Sequence, residues 1–262
     1  MTATTYLDRI LQAHRAAAAA DDRSVDDLTV RARRQPPTRD FTSALRTPGL
    51  GVIAEVKRAS PSKGPLAPDL DPAELAAAYQ TGGAACVSVL TDREFFGGSP
   101  DDLAAARAAI DLPVLRKDFT VSVADLCDAR MMGADAVLLI VAALDPHELH
   151  HLHDAATDLG LAVLVEVHDE AEAETALGIG ADILGINQRD PLTFEVDTDR
   201  AVRVARSLPD TVVRVAESGI GGPDDVPRLR DAGFDAILVG ESLVRSGDPA
   251  GAVAQLVRAG AE

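Results

Sequence analysis

The sequence predicts an α/β protein folded as a (β/α)8 TIM barrel with an N-terminal helical extension, and three observations support this prediction. Short apolar runs occur eight times along the chain, helical patterns lie between them, and several of those patterns end at a glycine. A chain of 262 residues, of which 47% are hydrophobic, has the usual size of a single barrel domain. We therefore predict one domain over residues 1–262.

The eight apolar runs are the predicted strands, and such runs are typical of parallel strands that are buried on both faces. They cover residues 51–56, 85–90, 113–115, 136–141, 162–167, 182–186, 212–216 and 235–239. A doubly wound open sheet is the alternative. That fold usually has fewer strands, and no glycine-rich dinucleotide-binding motif follows the first run.

Helical patterns separate the strands, and each begins near an aspartate or a proline, as helices often do. The clearest cover residues 71–81, 100–110, 123–132, 146–159 and 169–179. The tripeptide Gly-Ala-Asp stands before a predicted strand at both 133–135 and 180–182. A glycine that ends a helix and leads into the next strand is expected once in each unit of a repeated fold.

Residues 1–48 precede the first strand and form the predicted extension. Two helical patterns, around 6–20 and 24–34, are followed by a break at Pro36-Pro37. A segment of this length is too short to bury a core of its own, so we expect it to pack on the barrel.

Composition excludes several classes of partner. The formal net charge of −17 argues against nucleic acid and anionic membrane surfaces, because both require a basic surface on the protein. Neither a secretory signal nor a long apolar run is present, and the two cysteines, Cys86 and Cys127, lie in core-like patterns. We expect a cytoplasmic protein with inert thiols that acts as a monomer or a weak dimer.

Charged and amide side chains gather at the C-terminal ends of the predicted strands, where the working residues of barrels lie. Glu55 and Lys57 are two residues apart, so both point to the same face of the first strand. The other strand ends carry Lys117 and Asp118, Glu166, Asn187 and Arg189, and Glu217. A structural Glu–Lys bridge would explain the first pair alone, whereas the mixed set suits general acid–base chemistry.

Two glycine-rich loops, at residues 217–222 and 239–242, follow the last two strands. Loops at these positions often bind phosphate through backbone N–H groups, although glycines also mark ordinary turns. We predict contacts from Ser218, Gly219 and Gly240. Glu241 would contribute only its backbone, because its carboxylate repels phosphate.

Over nearly its whole length the chain resembles the indole-3-glycerol phosphate synthase family. The resemblance is carried by residues 53–64 (IAEVKRASPSKG), 88–92, 95–99, 115–119, 137–140, 164–168, 185–187 and 216–220. It implies that 1-(2-carboxyphenylamino)-1-deoxyribulose 5-phosphate is converted to indole-3-glycerol phosphate, CO2 and water, in tryptophan biosynthesis. It also implies a phosphorylated small-molecule substrate, no cofactor and no metal ion.

The resemblance further implies a role for each strand-end residue. Lys117 donates a proton to the ketone oxygen while the aromatic carbon that bears the carboxylate attacks, and Glu166 serves the final dehydration. Lys57 contacts the anionic substrate, and Glu55 holds that lysine in orientation. Because neighbouring charges titrate together, which lysine acts as the acid in each step stays open.

The remaining implied roles concern binding. Asn187 and Glu217 position hydroxyl and amine groups, and Arg189 holds an anionic group or orients Asn187. Lys57 is expected to bind the phosphate together with the two glycine-rich loops. The expected substrate-binding residues are Ser60, Pro61, Phe96, Phe119, Arg189, Ser218, Gly219, Gly240 and Glu241. Ordinary core packing is the alternative explanation for the two phenylalanines.

Two features stand apart from this assignment. Pro191 occupies a position where the family usually has leucine, so we expect a stiffer loop and a reshaped wall of the aromatic pocket. The histidines between 147 and 153 have helical spacings that would suit zinc. They fall on an outer helix, so we predict solvated surface side chains.

Other functions stay open at this stage. Two lysines at strand ends also suit a Schiff-base aldolase, and the phosphate loops also suit a flavin-binding barrel, another phosphosugar-binding barrel enzyme or a silent phosphate-binding module. Borohydride trapping on a lysine would favour the aldolase. A yellow purified protein would favour the flavin enzyme.

Overall fold

The computed structural model describes residues 5–61, 63–190 and 195–261, and within them eight parallel strands form a closed barrel. Each strand pairs with the next along the chain, and Gly51 of the first lies opposite Ala236 of the last. The strands are β1 (Gly51–Val56), β2 (Cys86–Leu90), β3 (Val114–Lys117), β4 (Ala136–Ile140), β5 (Ala162–Val167), β6 (Ile183–Asn187), β7 (Val213–Glu217) and β8 (Ala236–Val239). The predicted (β/α)8 fold is confirmed.

Helices α1 (Tyr6–Ala19), α2 (Val25–Arg33) and α3 (Phe41–Leu45) precede β1. Phe41 and Leu45 of α3 are buried in one cluster with Ala136 and Ile183, which begin their strands. The short helix α3 therefore fills the N-terminal end of the barrel. Helix α1 lies at the opposite end, where its Tyr6 helps to line a cavity.

The helices outside the barrel are α4 (Pro72–Thr81), α5 (Pro100–Ala109), α6 (Val123–Met132), α7 (Pro146–Asp158), α8 (Glu170–Gly178), α9 (Thr198–Ala205), α10 (Val226–Asp231), α11 (Glu241–Val244) and α12 (Pro249–Ala261). Helices α4 to α9 each follow a residue whose side chain caps the helix N-terminus. The side chains of Asp71, Ser99 and Asp145 accept hydrogen bonds from first-turn N–H groups, which have no partner within their helix. Two further short strands, Ala59–Ser60 and Gly64–Pro65, pair as a hairpin after β1.

Successive side chains of each strand point alternately into the barrel and out toward the helices. The barrel therefore has an inner core and an outer core. On β1, Val52 and Ala54 pack in the cluster shared with the helices, whereas Ile53 packs inside the barrel. Glu55 follows Ile53 on the inner face. Cys86 and Cys127 are buried free thiols, and burial raises the pKa of both.

No helix in the described part of the chain is long and apolar enough to cross a membrane. On α7, His147, His150 and His151 are exposed, and none of them lines the cavity at the strand ends. Pro191 lies outside the described residues.

Candidate active site

A cavity of about 510 Å³ opens at the C-terminal ends of the strands. The side chains predicted from the strand ends line it together: Glu55, Lys57, Lys117, Glu166, Asn187, Arg189 and Glu217. The predicted binding residues Ser60, Pro61, Phe96, Phe119, Ser218, Gly219, Gly240 and Glu241 line it as well.

Lys117 lies at the centre of the charged groups. Its Nζ is 2.8 Å from Glu166 Oε2 and 3.1 Å from Glu217 Oε2. Burial alone would lower the pKa of Lys117, but Glu166, Glu217 and Glu55 outweigh it, so that pKa lies above its ordinary value. The amine is therefore held protonated and surrounded by carboxylates.

Glu166 and Glu217 share Lys117 but differ in their protonation. Burial would raise the pKa of Glu166, yet Lys117 and then His168 lower it below its ordinary range. Burial raises the pKa of Glu217 to about 7 against the pull of Lys117. Glu217 Oε1 is buried and has no hydrogen-bond partner among the described residues. One carboxylate is thus kept ionised, whereas the other holds a proton more tightly than an ordinary glutamate does.

A second ion pair joins Lys57 Nζ to Glu55 Oε1 at 3.0 Å. Glu55 is buried, whereas Lys57 is partly open to the cavity. A Cβ placed on Gly240 would lie 2.5 Å from Glu55 Oε1, so this glycine leaves the space that the carboxylate occupies. The predicted geometry of the pair, with both side chains on one face of the strand, is confirmed.

Asn187 connects the Lys117 group to the β6 loop. Its Nδ2 donates to Glu166 Oε1 at 3.1 Å, and its Oδ1 accepts from the backbone N–H of Arg189 at 3.0 Å. The amide is therefore held in one orientation, with one face toward Glu166.

The two glycine-rich loops lie side by side at the rim of the cavity. Ser218 and Gly219 have φ values of 65° and 68°, the left-handed region that glycine adopts most readily. Ser242 Oγ donates to the carbonyl of Ile220 and so joins the two loops. The Glu241 carboxylate forms an ion pair with Arg245, whose Nη1 is 3.1 Å away.

Aromatic side chains form one wall of the cavity. The rings of Phe96 and Phe119 have centroids 6.4 Å apart and are inclined by 35°. Pro61 stands in the loop after β1, and Leu7 and Ile10 of α1 complete the apolar surface.

Several lining residues were not predicted from the sequence. His168 lies two residues after Glu166, and this spacing was a usable signal because it places both side chains on one face. Asp92 follows β2, a strand end for which no charged side chain was named among the predicted site residues. Arg245 and the α1 residues Tyr6, Leu7 and Ile10 lie far from the strand ends in sequence, which offered no comparable signal.

The closed barrel and the buried lysine–carboxylate groups at its strand ends define an enzyme of the (β/α)8-barrel class, with side chains of the kind that general acid–base chemistry requires. A family model described as indole-3-glycerol phosphate synthase matches residues 7–256. The chain belongs to the indole-3-glycerol phosphate synthase family, whose members are carboxy-lyases of tryptophan biosynthesis.

Curated relatives agree with this family. Proteins named indole-3-glycerol phosphate synthase from Mycolicibacterium smegmatis and Mycobacterium ulcerans are each 53% identical over 262 residues, covering 99% of this chain and 96% of theirs. The protein of that name from Mycobacterium avium is 52% identical over the same span. Among solved structures, thiamine phosphate pyrophosphorylase from Pyrococcus furiosus matches with a TM-score of 0.61 and 19% identity, covering 82% of this chain and 96% of that one. This last likeness concerns the fold alone.

Proposed function

We propose that this chain converts 1-(2-carboxyphenylamino)-1-deoxyribulose 5-phosphate to indole-3-glycerol phosphate, with loss of CO2 and water, and that Lys117 and Glu166 move the protons. The observation that carries the proposal is the buried Lys117 Nζ between Glu166 at 2.8 Å and Glu217 at 3.1 Å. Family membership supports the overall reaction, and the side-chain geometry supports the roles.

Ring closure needs an acid. When the aromatic carbon that bears the carboxylate attacks the ketone, the ketone oxygen gains negative charge and must receive a proton. Lys117 is the suitable donor because nearby carboxylates keep its amine protonated inside a buried site. Loss of CO2 then restores the aromatic ring and leaves a hydroxyl on the carbon that was the ketone.

Dehydration removes a proton from the neighbouring carbon and expels the hydroxyl, so it needs an acceptor that takes this proton and passes it to the hydroxyl, which then leaves as water. Glu166 is that acceptor, since its carboxylate remains ionised in the buried site. The Asn187 amide bonded to Glu166 Oε1 holds the carboxylate toward the cavity. Lys57, paired with Glu55, contacts the anionic substrate, while Asn187 and Glu217 position its hydroxyl and amine groups.

Phosphate binding falls to the two joined loops. Backbone N–H groups of Ser218, Gly219, Gly240 and Glu241 stand at the rim, with Lys57 as the nearby cation. Arg245 lines the same rim and adds a second positive charge. The substrate's aromatic ring then lies against Phe96, Phe119 and Pro61, and Ser60 and Arg189 line the same cavity.

A Schiff-base aldolase is disfavoured by the same electrostatics. Nucleophilic attack requires a neutral amine, and the pKa of Lys117 lies above its ordinary value. Lys57, Lys63 and Lys117 are the three lysines of the chain, so borohydride trapping would be simple to locate. We expect no trapped adduct with keto or aldehyde substrates.

We further propose that the enzyme works in the cytoplasm as a monomer. Sedimentation of the purified protein across a range of concentrations checks the oligomeric state. A dimer whose mass does not depend on concentration would contradict this assignment.

The function is tested by incubating the purified protein with the carboxyphenylamino substrate and following indole fluorescence. Lys117→Ala and Glu166→Gln should each lower the rate roughly a hundredfold or more, because a positioned acid or base typically contributes that much. Glu174→Gln, an exposed change on α8, is the matched control and should retain full rate. No fluorescence from the unmodified protein would contradict the proposed function, and full rate in either active-site variant would contradict the roles.

A further inference from the structure

His168 is a buried histidine that takes no part in the proposed proton transfers by Lys117 and Glu166. It follows β5 directly and is 7% exposed. Glu172 on α8 holds it at two points: Glu172 Oε2 lies 2.8 Å from the His168 backbone nitrogen and 3.0 Å from its Nδ1. With Nδ1 committed to Glu172, the imidazole has one orientation, and its Nε2 points to the cavity.

The other edge of the imidazole, which carries Nε2, is buried and faces Glu166. His168 Nε2 lies 3.5 Å from Glu166 Oε1 and makes no hydrogen bond to any described residue. At this distance the attraction between the two side chains is electrostatic. Burial alone would lower the pKa of His168, but Glu166 and Glu172 outweigh it and raise that pKa to about 10. At neutral pH the ring is an imidazolium, and its positive charge lies beside the Glu166 carboxylate.

The two oxygens of Glu166 have different partners. Oε2 accepts from Lys117, whereas Oε1 accepts from Asn187 and faces His168. When Lys117 gives its proton to the ketone, it becomes a neutral amine, and Glu166 loses its strongest attraction to a positive charge. A buried carboxylate in that position would take up a proton and could no longer act as an acceptor.

We infer that His168 is a positioning residue that keeps Glu166 ionised and correctly oriented after Lys117 has given up its proton. The inference rests on the proposed function, since it concerns the interval between ring closure and dehydration. The proton goes from Lys117 to the ketone oxygen, and His168 retains its own. Its fixed positive charge takes the place of the charge that Lys117 loses.

The charged groups that face this pair come from several elements. Lys117 stands at the end of β3, Glu217 at the end of β7 and Glu172 on α8, while Glu55 of β1 acts through Lys117. Substitution of His168 removes one of the two cations beside Glu166. We therefore expect Glu166 to become protonated at a higher pH in such a variant.

Kinetics provide the first test, with His168→Leu, His168→Gln and the exposed control His151→Leu. In both His168 variants the acid limb of the kcat profile should move up by about one pH unit or more, because both lack the imidazolium. kcat at neutral pH should fall roughly tenfold or more in His168→Leu and less in His168→Gln, which retains an N–H donor. KM should stay within about twofold, since His168 does not bind the anionic groups.

A second test does not depend on activity. The chain has six histidines, so the His168 ring can be assigned by NMR from the signal lost in His168→Gln. In Glu166→Gln, His168 should titrate at least about one pH unit lower than in the unmodified protein.

The outcomes separate the two proposals. No indole from the unmodified protein contradicts the proposed function itself. An active unmodified protein whose acid limb stays in place in both His168 variants contradicts the His168 inference alone, as does a His168 titration that Glu166→Gln leaves unchanged.

Discussion

His14 Nε2 lies 2.9 Å from Asp92 Oδ2 and joins the first helix of the N-terminal extension to the end of β2. Asp92 Oδ1 in turn accepts from the backbone N–H groups of Phe95 at 2.6 Å and Phe96 at 3.2 Å. The His14 ring also lies 5.5 Å from that of Phe119. The extension is thus connected to Phe96 through the Asp92 carboxylate and to Phe119 through the His14 ring.

His14→Gln should weaken this connection. Burial would lower the pKa of His14, but Asp92, Asp118 and Asp125 raise it above its ordinary value. Stabilisation by a raised histidine pKa is fully present below the unfolded pKa of about 6.5 and is lost as pH rises through the folded pKa. We expect the variant to lose about 1–2 kcal/mol of unfolding free energy near pH 6.

Urea unfolding at several pH values measures that loss, with the exposed His151→Gln as control. The difference in unfolding free energy between His14→Gln and the unmodified protein should become smaller as pH rises above the pKa of His14 in the folded state. A difference in unfolding free energy that stays constant across the pH values would contradict a stabilising role for protonated His14. KM should also rise, because Phe96 and Phe119 lose a shared support.

Glu217→Gln should change how stability depends on pH. Burial raises the pKa of Glu217 from 4.5 to about 7, so the folded state binds this proton more tightly than the unfolded state. Stability therefore falls as pH rises from about 4.5 to about 7, by about 1.4 kcal/mol for each unit of pKa difference. Glutamine does not titrate, and the variant should lack this fall.

Unfolding free energies at pH values across this interval check the prediction. Glu174→Gln on the exposed face of α8 is the matched control and should follow the unmodified protein. If the unfolding free energy of Glu217→Gln falls with pH as steeply as that of the unmodified protein, Glu217 titrates in its ordinary range.

Gly240→Ala should damage the Lys57–Glu55 pair without touching either residue. The new Cβ would lie 2.5 Å from Glu55 Oε1 and 3.2 Å from Glu55 Cβ, so Glu55 must move. Gly178→Ala is a suitable control, because nothing lies within 4 Å of the Cβ it introduces. We expect kcat/KM to fall roughly tenfold to a hundredfold for Gly240→Ala, as misplacement of catalytic groups commonly does, and to stay unchanged for Gly178→Ala. Equal rates in the two variants would show that the pair tolerates displacement.

Much of the barrel was predictable because each strand contains a short apolar run and most helices follow a capping residue. The strand-end residues were predictable for a related reason: Glu55 and Glu166 interrupt runs that are otherwise apolar, and Lys117 closely follows such a run. β3 continues to Lys117 although its apolar run ends at residue 115, because backbone pairing with β2 does not require an apolar side chain. The hairpin after β1 was missed, since two-residue strands leave no periodicity to read.

Contacts between distant segments were not predictable. His14 and Asp92 are 78 residues apart, and nothing in the local pattern of either points to the other. The difference in pKa between Glu166 and Glu217 also needs the fold, because both are glutamates at the end of an apolar strand. Only the positions of Lys117, His168 and Asn187 distinguish them.

The division of labour between Lys117 and Glu166 is tested most directly by a single-turnover experiment with carboxyl-labelled substrate, in which labelled CO2 and indole are measured together. We predict that Glu166→Gln releases CO2 and accumulates the decarboxylated, still hydroxylated intermediate, whereas Lys117→Met releases no CO2. Release of CO2 by Lys117→Met at the unmodified rate, or indole formation by Glu166→Gln at full rate, would contradict the account.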